Sequence, residues 1–211
     1  KAHLEGFGGV EGVRKGKGEL FDYLRASNGT AFIFSDYDYL HDMSKGIAEV
    51  KQYGTHGDHL DIEGNIAADS GLLEVAITGG ITTMNIRTQL VGGYNLPNVL
   101  AAVCIGKTFN VPETAMKAAL EAYTPSNSRA QLMEVSSNKI ILDAYNANPS
   151  SMKVAIENFA AMPGNNKVLM LGAMMEMGDQ SESEHASLVE LINRFNWKEV
   201  VLVGIEFSKM A

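Results

Sequence analysis

The sequence predicts an α/β protein in two parts, on three observations. Short continuous apolar runs such as "TAFIF", which stop at polar residues, read as buried parallel strands. Beyond Arg129 such runs alternate with amphipathic stretches, which implies right-handed crossovers and a parallel sheet. Between residues 52 and 93 the pattern changes to alternating pieces separated by glycines, as expected for antiparallel strands or hairpins.

Taken in order, Gly6, Gly8, Gly9 and Gly12 predict a loop at the start, and "VEGVRKGKGELFDYL" a helix despite its glycines. "TAFIF" is the first strand, and "HDMSKGIAEV" reads as a short helix. After the antiparallel segment, "NLPNVLAAVCIGKTF" and "PETAMKAALEAY" are strong helices, the second with Pro112 at its start. "TPSNSR" has the composition of a linker, so a domain boundary is expected between residues 125 and 126. Then "KIILDAY" is a strand, "SSMKVAIENFAAM" a helix, "KVLMLGAM" a strand, "ESEHASLVELINRF" a helix and "EVVLVGI" a strand.

Composition narrows the function. At 211 residues the chain can bury one large core or two smaller ones. The net charge of -8 argues against a nucleic-acid surface, yet leaves room for a phosphate site built from backbone N–H groups and one or two cations. Cys104 is the lone cysteine, so no internal disulfide forms and a reducing compartment is expected. Its apolar neighbours in "AAVCIGKTF" mark a buried structural thiol. No apolar run approaches the ~18 residues that cross a bilayer. The opening "KAHLEGFGGVEGV" lacks a signal-peptide core and an initiating Met, and reads as the start of a fragment.

Several polar groups sit where a ligand would bind, at the carboxyl ends of expected strands. Asp143, Tyr145, Asn146 and Asn148 follow "KIIL"; the carboxylate suits ribose hydroxyls and the amides a base or phosphate. Asn148-Pro149-Ser150 also fits a turn and helix cap, and both roles can hold. "LGAMMEMGDQSESEH" offers Glu176 and His185, against the plainer reading of a solvated loop; Met170, Met174, Met175 and Met177 read as packing. In "GGYNLPNVLAA", Asn95 suits an N-cap and Asn98 lies one turn on, leaving one asparagine in excess of what capping needs. His3, Lys15 and Lys17 form a last group, which lacks the carboxylates of a metal site. No GxxxxGK[ST] phosphate loop occurs, and "GKTF" lacks the preceding glycine.

"AHLEGFGGVEGVRKGKGELF", "GGYNLPNVLAAV", "SRAQLMEV", "LDAYNANPSSM" and "LGAMMEMGDQSESEH", in this order, resemble the Mur ligases, the ATP-dependent amide-forming enzymes of peptidoglycan precursor synthesis. "DAYNANPSSM" is the most specific, and is similar to the members that add D-alanyl-D-alanine to UDP-N-acetylmuramoyl-tripeptide; "NLPNVLAA" is shared more widely, including with folylpolyglutamate synthase. The resemblance implies a cytoplasmic bacterial enzyme, a monomer at full length, using ATP and Mg²⁺. Residues 1–125 would be the remainder of its P-loop-type central ATPase domain, without the P-loop, and 126–211 an incomplete Rossmann-like C-terminal domain.

Carried over residue by residue, the resemblance makes His3 a Mg²⁺ ligand and Lys17 the lysine that related ligases carbamylate, which would supply the missing carboxylate. Both would be catalytic. Asn95 and Asn98 match adenine-side residues, Arg129 the arginine that reaches ATP, and Asp143 the ribose contact. Asn146 and Asn148 would face the nucleotide or the incoming dipeptide. The chain departs from the family at Ala173, where Asp is usual, at Ser35, where Asn is common, and before Arg129, where a glycine usually stands. A sister ligase and a non-catalytic binding module on the same fold are the alternatives; the "YNANP" stretch disfavours the first, and the ordered candidate residues the second.

Overall fold

The computed structural model describes residues 4–68, 71–126 and 129–209. It divides into two compact units, Lys17–Asp143 and a second made of Lys1–Gly16 with Ala144–Ala211.

In the first unit a five-stranded sheet has the order β1 (Thr30–Phe34), β2 (Glu49–Gly54), β3 (Ile62–Ala68), β4 (Leu72–Gly79), β5 (Met84–Val91). β1, β2 and β3 run parallel, while β3, β4 and β5 form an antiparallel meander. β1 is buried on both faces, as its unbroken apolar run predicts. Phe32 and Phe34 join the main core, whereas Ala31 and Ile33 pack with Ile47, Phe21 and Leu24 in a separate cluster. Phe21 and Leu24 come from helix α2 (Val10–Ala26).

Helix α4 (Leu96–Thr108) packs on β1, β2 and β3. Its buried residues Leu96, Val99, Leu100, Val103 and Cys104 fall at i, i+3, i+4, i+7 and i+8, one stripe of a 3.6-residue helix. Helix α5 (Glu113–Ala122) lies on β5. The unit also holds a hairpin, β6 (Gln131–Val135) with β7 (Asn138–Leu142), beside β5.

In the second unit, helix α6 (Pro149–Ala161), strand β8 (Val168–Gly172), helix α7 (Ser181–Ile192), strand β9 (Glu199–Val203) and helix α8 (Ile205–Ser208) follow in the alternating order the sequence predicts. β8 and β9 pair in parallel, and Met152, Ile156, Met174, Leu188 and Leu191 form the centre of the core.

Four expectations need correction. Leu4–Phe7 is a helical turn, α1, rather than loop; Gly8 and Gly9, at φ 68° and 105°, reverse the chain so that α2 starts against it. Gly12 then lies inside α2 because a Cβ there would collide with the Phe7 carbonyl. "HDMSKGIAEV" is split: helix α3 (Asp38–Ser44) ends early, and its last residues open β2. "QLMEV" is a strand, and β7 pairs antiparallel with it across a two-serine turn instead of joining a parallel sheet. Finally, Met174 and Met177 are core, but Met170 and Met175 are exposed. Among the described residues no helix is long and apolar enough to cross a membrane.

Candidate functional site

The hairpin supplies the first juxtaposition. β6 and β7 pair Gln131 with Leu142, so residues 129–130 and Asp143 emerge side by side at its open end. The Ala130 N–H donates to Asp143 Oδ1 at 3.3 Å. Arg129 and Asp143 are both exposed there, a guanidinium suited to phosphate beside a carboxylate suited to hydroxyls. Thirteen intervening residues hide this proximity in the sequence; the hairpin creates it.

Asn95 and Asn98 form the second. Asn95 precedes α4 within a 3₁₀ turn, Gly93–Asn95, and is itself in a helical conformation (φ -84°, ψ -6°). It therefore does not cap α4 by its side chain, contrary to expectation. Instead Asn95 Nδ2 donates to the Val91 carbonyl at 2.9 Å, and Asn95 Oδ1 accepts from Asn98 Nδ2 at 3.2 Å. Asn95 is thus fixed to the end of β5 and holds Asn98, which is exposed and has no acceptor contact on its Oδ1 among the described residues.

Lys17 sits exposed on α2, three residues after Arg14, which pairs with Glu11 at 3.0 Å. Lys15, on the same helix, is exposed as well. His3 lies outside the described residues. No group of three or more His, Cys, Asp or Glu side chains that could hold a metal occurs among the described residues.

In the second unit Asn148 is a cap. Its Oδ1 accepts from the Ser151 N–H at 3.0 Å, and Ser151 Oγ accepts from the Asn148 N–H at 3.3 Å, a reciprocal capping box at the start of α6. Its amide nitrogen and one lone pair of Oδ1 are left for a ligand. Asn146 is exposed two residues earlier, and Ala147 between them packs on the core. The loop after β8 carries Glu176 exposed at φ 59°, while His185 is fully buried.

The sequence reading passed over the ends of β1 and β2. Asp36 accepts from the Thr55 N–H at 2.9 Å and from its hydroxyl at 2.6 Å, and the Ser35 carbonyl accepts from His41 Nε2 at 2.8 Å. The Asp36 contacts tie the two carboxyl ends together and the Ser35 contact ties the first of them to α3; a Ser-Asp pair closing an apolar run was the available signal. Cys104 is as inert as its neighbours suggest: burial pushes its thiol up to about 11.

Comparison with known proteins divides the chain along the sequence, and so assigns residues 1–16 and the β6–β7 hairpin differently from the two compact units. The Mur ligase middle domain matches residues 1–106, and the Mur ligase glutamate ligase domain matches residues 128–210. The UDP-N-acetylmuramoyl-tripeptide–D-alanyl-D-alanine ligase of Escherichia coli K12 is 33% identical over 207 residues, 96% of this chain and 45% of that protein. The Bacillus subtilis ligase of that name is 32% identical over 88% of this chain and 40% of its own length. The fold is that of MurF from Acinetobacter baumannii (TM-score 0.84, 24% identity, 98% of this chain and 45% of that one). Thermotoga maritima MurF in complex with ADP gives a TM-score of 0.77 at 21% identity, over 99% of this chain and 52% of that one. The chain spans less than half the length of the curated relatives it matches. With family models covering both of its parts, the chain belongs to the Mur ligase family.

Proposed function

We propose that this chain is part of a cytoplasmic ligase that joins D-alanyl-D-alanine to UDP-N-acetylmuramoyl-tripeptide at the expense of ATP. The observation that carries the reading is the open end of the β6–β7 hairpin, where Arg129 and Asp143 stand together. The similarity to the Escherichia coli enzyme supports the choice of dipeptide, and the ADP held by the Thermotoga maritima neighbour supports a nucleotide.

In this reading the tripeptide carboxylate attacks the γ-phosphate of ATP, ADP departs, and the amine of the dipeptide displaces phosphate from the acyl phosphate to form the amide. Asp143 accepts hydrogen bonds from the ribose hydroxyls, and Arg129 offsets phosphate charge. Asn98, steadied by Asn95, serves the adenine edge. Asn146 and the Asn148 amide nitrogen face nucleotide or dipeptide. Lys17 as it stands is a cation; carbamylated, it gains the carboxylate that, with His3, would hold Mg²⁺, whose chemistry is to neutralise the phosphates. We place the domain boundary between 125 and 126, a reading supported by family models that stop at 106 and resume at 128; the compact units instead divide after Asp143, which groups the β6–β7 hairpin with the first unit.

Phosphate release tests the proposal, measured with ATP, UDP-N-acetylmuramoyl-tripeptide and D-alanyl-D-alanine on this chain and on a version extended to the length of its relatives. Turnover by the extended protein with the dipeptide, but not with meso-diaminopimelate, L-lysine or L-glutamate, is expected. Turnover indifferent to D-alanyl-D-alanine would overturn the assignment. Turnover by the short chain alone would show that it already holds a complete phosphate site.

A further inference from the structure

Among the described residues, Ser44, Thr88 and His185 are the buried polar side chains. Ser44 bonds a carbonyl of its own helix and Thr88 bridges β5 to β4, but His185 joins a helix to a loop. Its Nδ1 lies 2.7 Å from the Ser181 carbonyl one turn earlier on α7. A carbonyl can only accept, so Nδ1 carries the proton. Nε2 then presents its lone pair to the Met174 N–H at 3.0 Å. Together the two contacts assign the Nδ1–H tautomer with both nitrogens used, and the ring meets that of Phe207 in a T-shaped arrangement, 4.9 Å between centroids.

The segment this bond holds leaves the carboxyl end of β8 and needs holding. Glu176 and Gly178 have φ of 59° and 54°, a left-handed backbone that costs energy at Glu176 and persists only when surrounding contacts enforce it. Met174 and Met177 anchor the segment in the core of the second unit, and Ala147 packs on that same core. Ala147 stands between Asn146 and Asn148, so the segment carrying these two amides and the segment bolted by His185 rest on one set of side chains.

We propose that His185 is a positioning residue. By fixing the Met174 backbone, it sets the core against which the Asn146–Asn148 segment is placed for the nucleotide. An apolar side chain would fill the same volume, and a merely space-filling residue would have no need of the two directed hydrogen bonds. What is positioned rests on the ligase reading above; the bolt itself does not.

The test uses the full-length protein with His185→Gln, whose amide can both donate and accept, and His185→Asn, too short to reach Met174. Two quantities are read: protection of the Met174 amide against hydrogen exchange, and the dissociation constant for ADP. The Gln variant is expected to keep both. The Asn variant should lose the amide protection and bind ADP about tenfold more weakly, the lower end of what losing an orienting outer contact costs at a binding site. Retained Met174 protection in the Asn variant, or lost protection with unchanged ADP affinity, would overturn the proposal. If the Asn variant does not fold, the imidazole ¹⁵N spectrum of the unaltered protein decides the bolt, because an Nε2–H tautomer excludes it. An unaltered protein that does not bind ADP overturns the ligase reading and the nucleotide half of this proposal, while Met174 exchange still reports on the bolt.

Discussion

Asn148 and Asn95 show what single residues disclose from sequence. The capping role of Asn148 is legible because Asn-Pro-Ser before an amphipathic run has a local mechanism. Replacing it with alanine should lower stability by about 1 kcal/mol, read as a shift of the denaturant midpoint with an unchanged slope. Asn95 looks like the same signal, but the preceding 3₁₀ turn changes its backbone, and the side chain turns to Val91 instead. Thr88 could not have been picked out at all. Its hydroxyl donates to the Leu73 carbonyl on β4, a partner defined only by strand register, and accepts from the Leu90 N–H two residues on. Thr88→Val would strand a Leu90 N–H in a part-buried site, and a loss of about 1–3 kcal/mol is expected in the same titration.

At the level of elements, helices were easier to read than short strands. α4 and α7 announce themselves by length and periodicity, whereas β2 and β6 are five or six residues with charged or polar members and few apolar alternations. The antiparallel meander was visible because its glycines punctuate it. Element ends also depend on remote residues. Arg25, on α2, donates from Nε to the Lys45 carbonyl at 2.8 Å and from Nη2 to the Met43 carbonyl at 2.9 Å, just where α3 stops. A cation satisfying carbonyls at a helix C-terminus is favourable for both hydrogen bonding and the helix dipole. Arg25→Met keeps much of the stem and removes the donors; it should cost about 1–2 kcal/mol in thermal or denaturant unfolding, with Arg25→Lys recovering only part.

For the molecule as a whole, the alternation of strands and helices fixed the class of fold, but not that the β6–β7 hairpin would bring Arg129 beside Asp143. That pairing is a long-range consequence of register, invisible to periodicity. The pH response is also a whole-molecule property. At Glu49, hydrogen bonds from the Thr30 hydroxyl and then Lys51 lower the carboxyl, so its contribution is present above the ordinary carboxylate range and lost as pH falls through it. For Lys51, the hydrogen bond to Glu49 and then the Asp61 charge raise the ammonium, so that contribution is lost only at strongly alkaline pH. Cys104 acts on the alkaline side too. Folded, it keeps its proton up to about 11, while an unfolded thiol loses it sooner, so stability should decline as pH rises across that interval. Alkylation by iodoacetamide near pH 8 is therefore expected only after unfolding, a readout available to mass spectrometry.

The seam between β2 and β3 has a kinetic meaning. These strands share only the pairs Tyr53 with Ile62 and Gly54 with Glu63, because β3 begins beside the place where β2 ends. The meander of β3, β4 and β5 closes through nearby residues and can assemble early; β1 and β2 must wait for α4, which spans both sides of the seam. Pulse-labelled exchange during refolding should find Val75 and Ile86 amides protected before those of Ala31 and Ile33, and simultaneous protection would exclude this order. α4 then acts as a late splint, and the sheet it completes is a join between two pieces with separate histories of assembly.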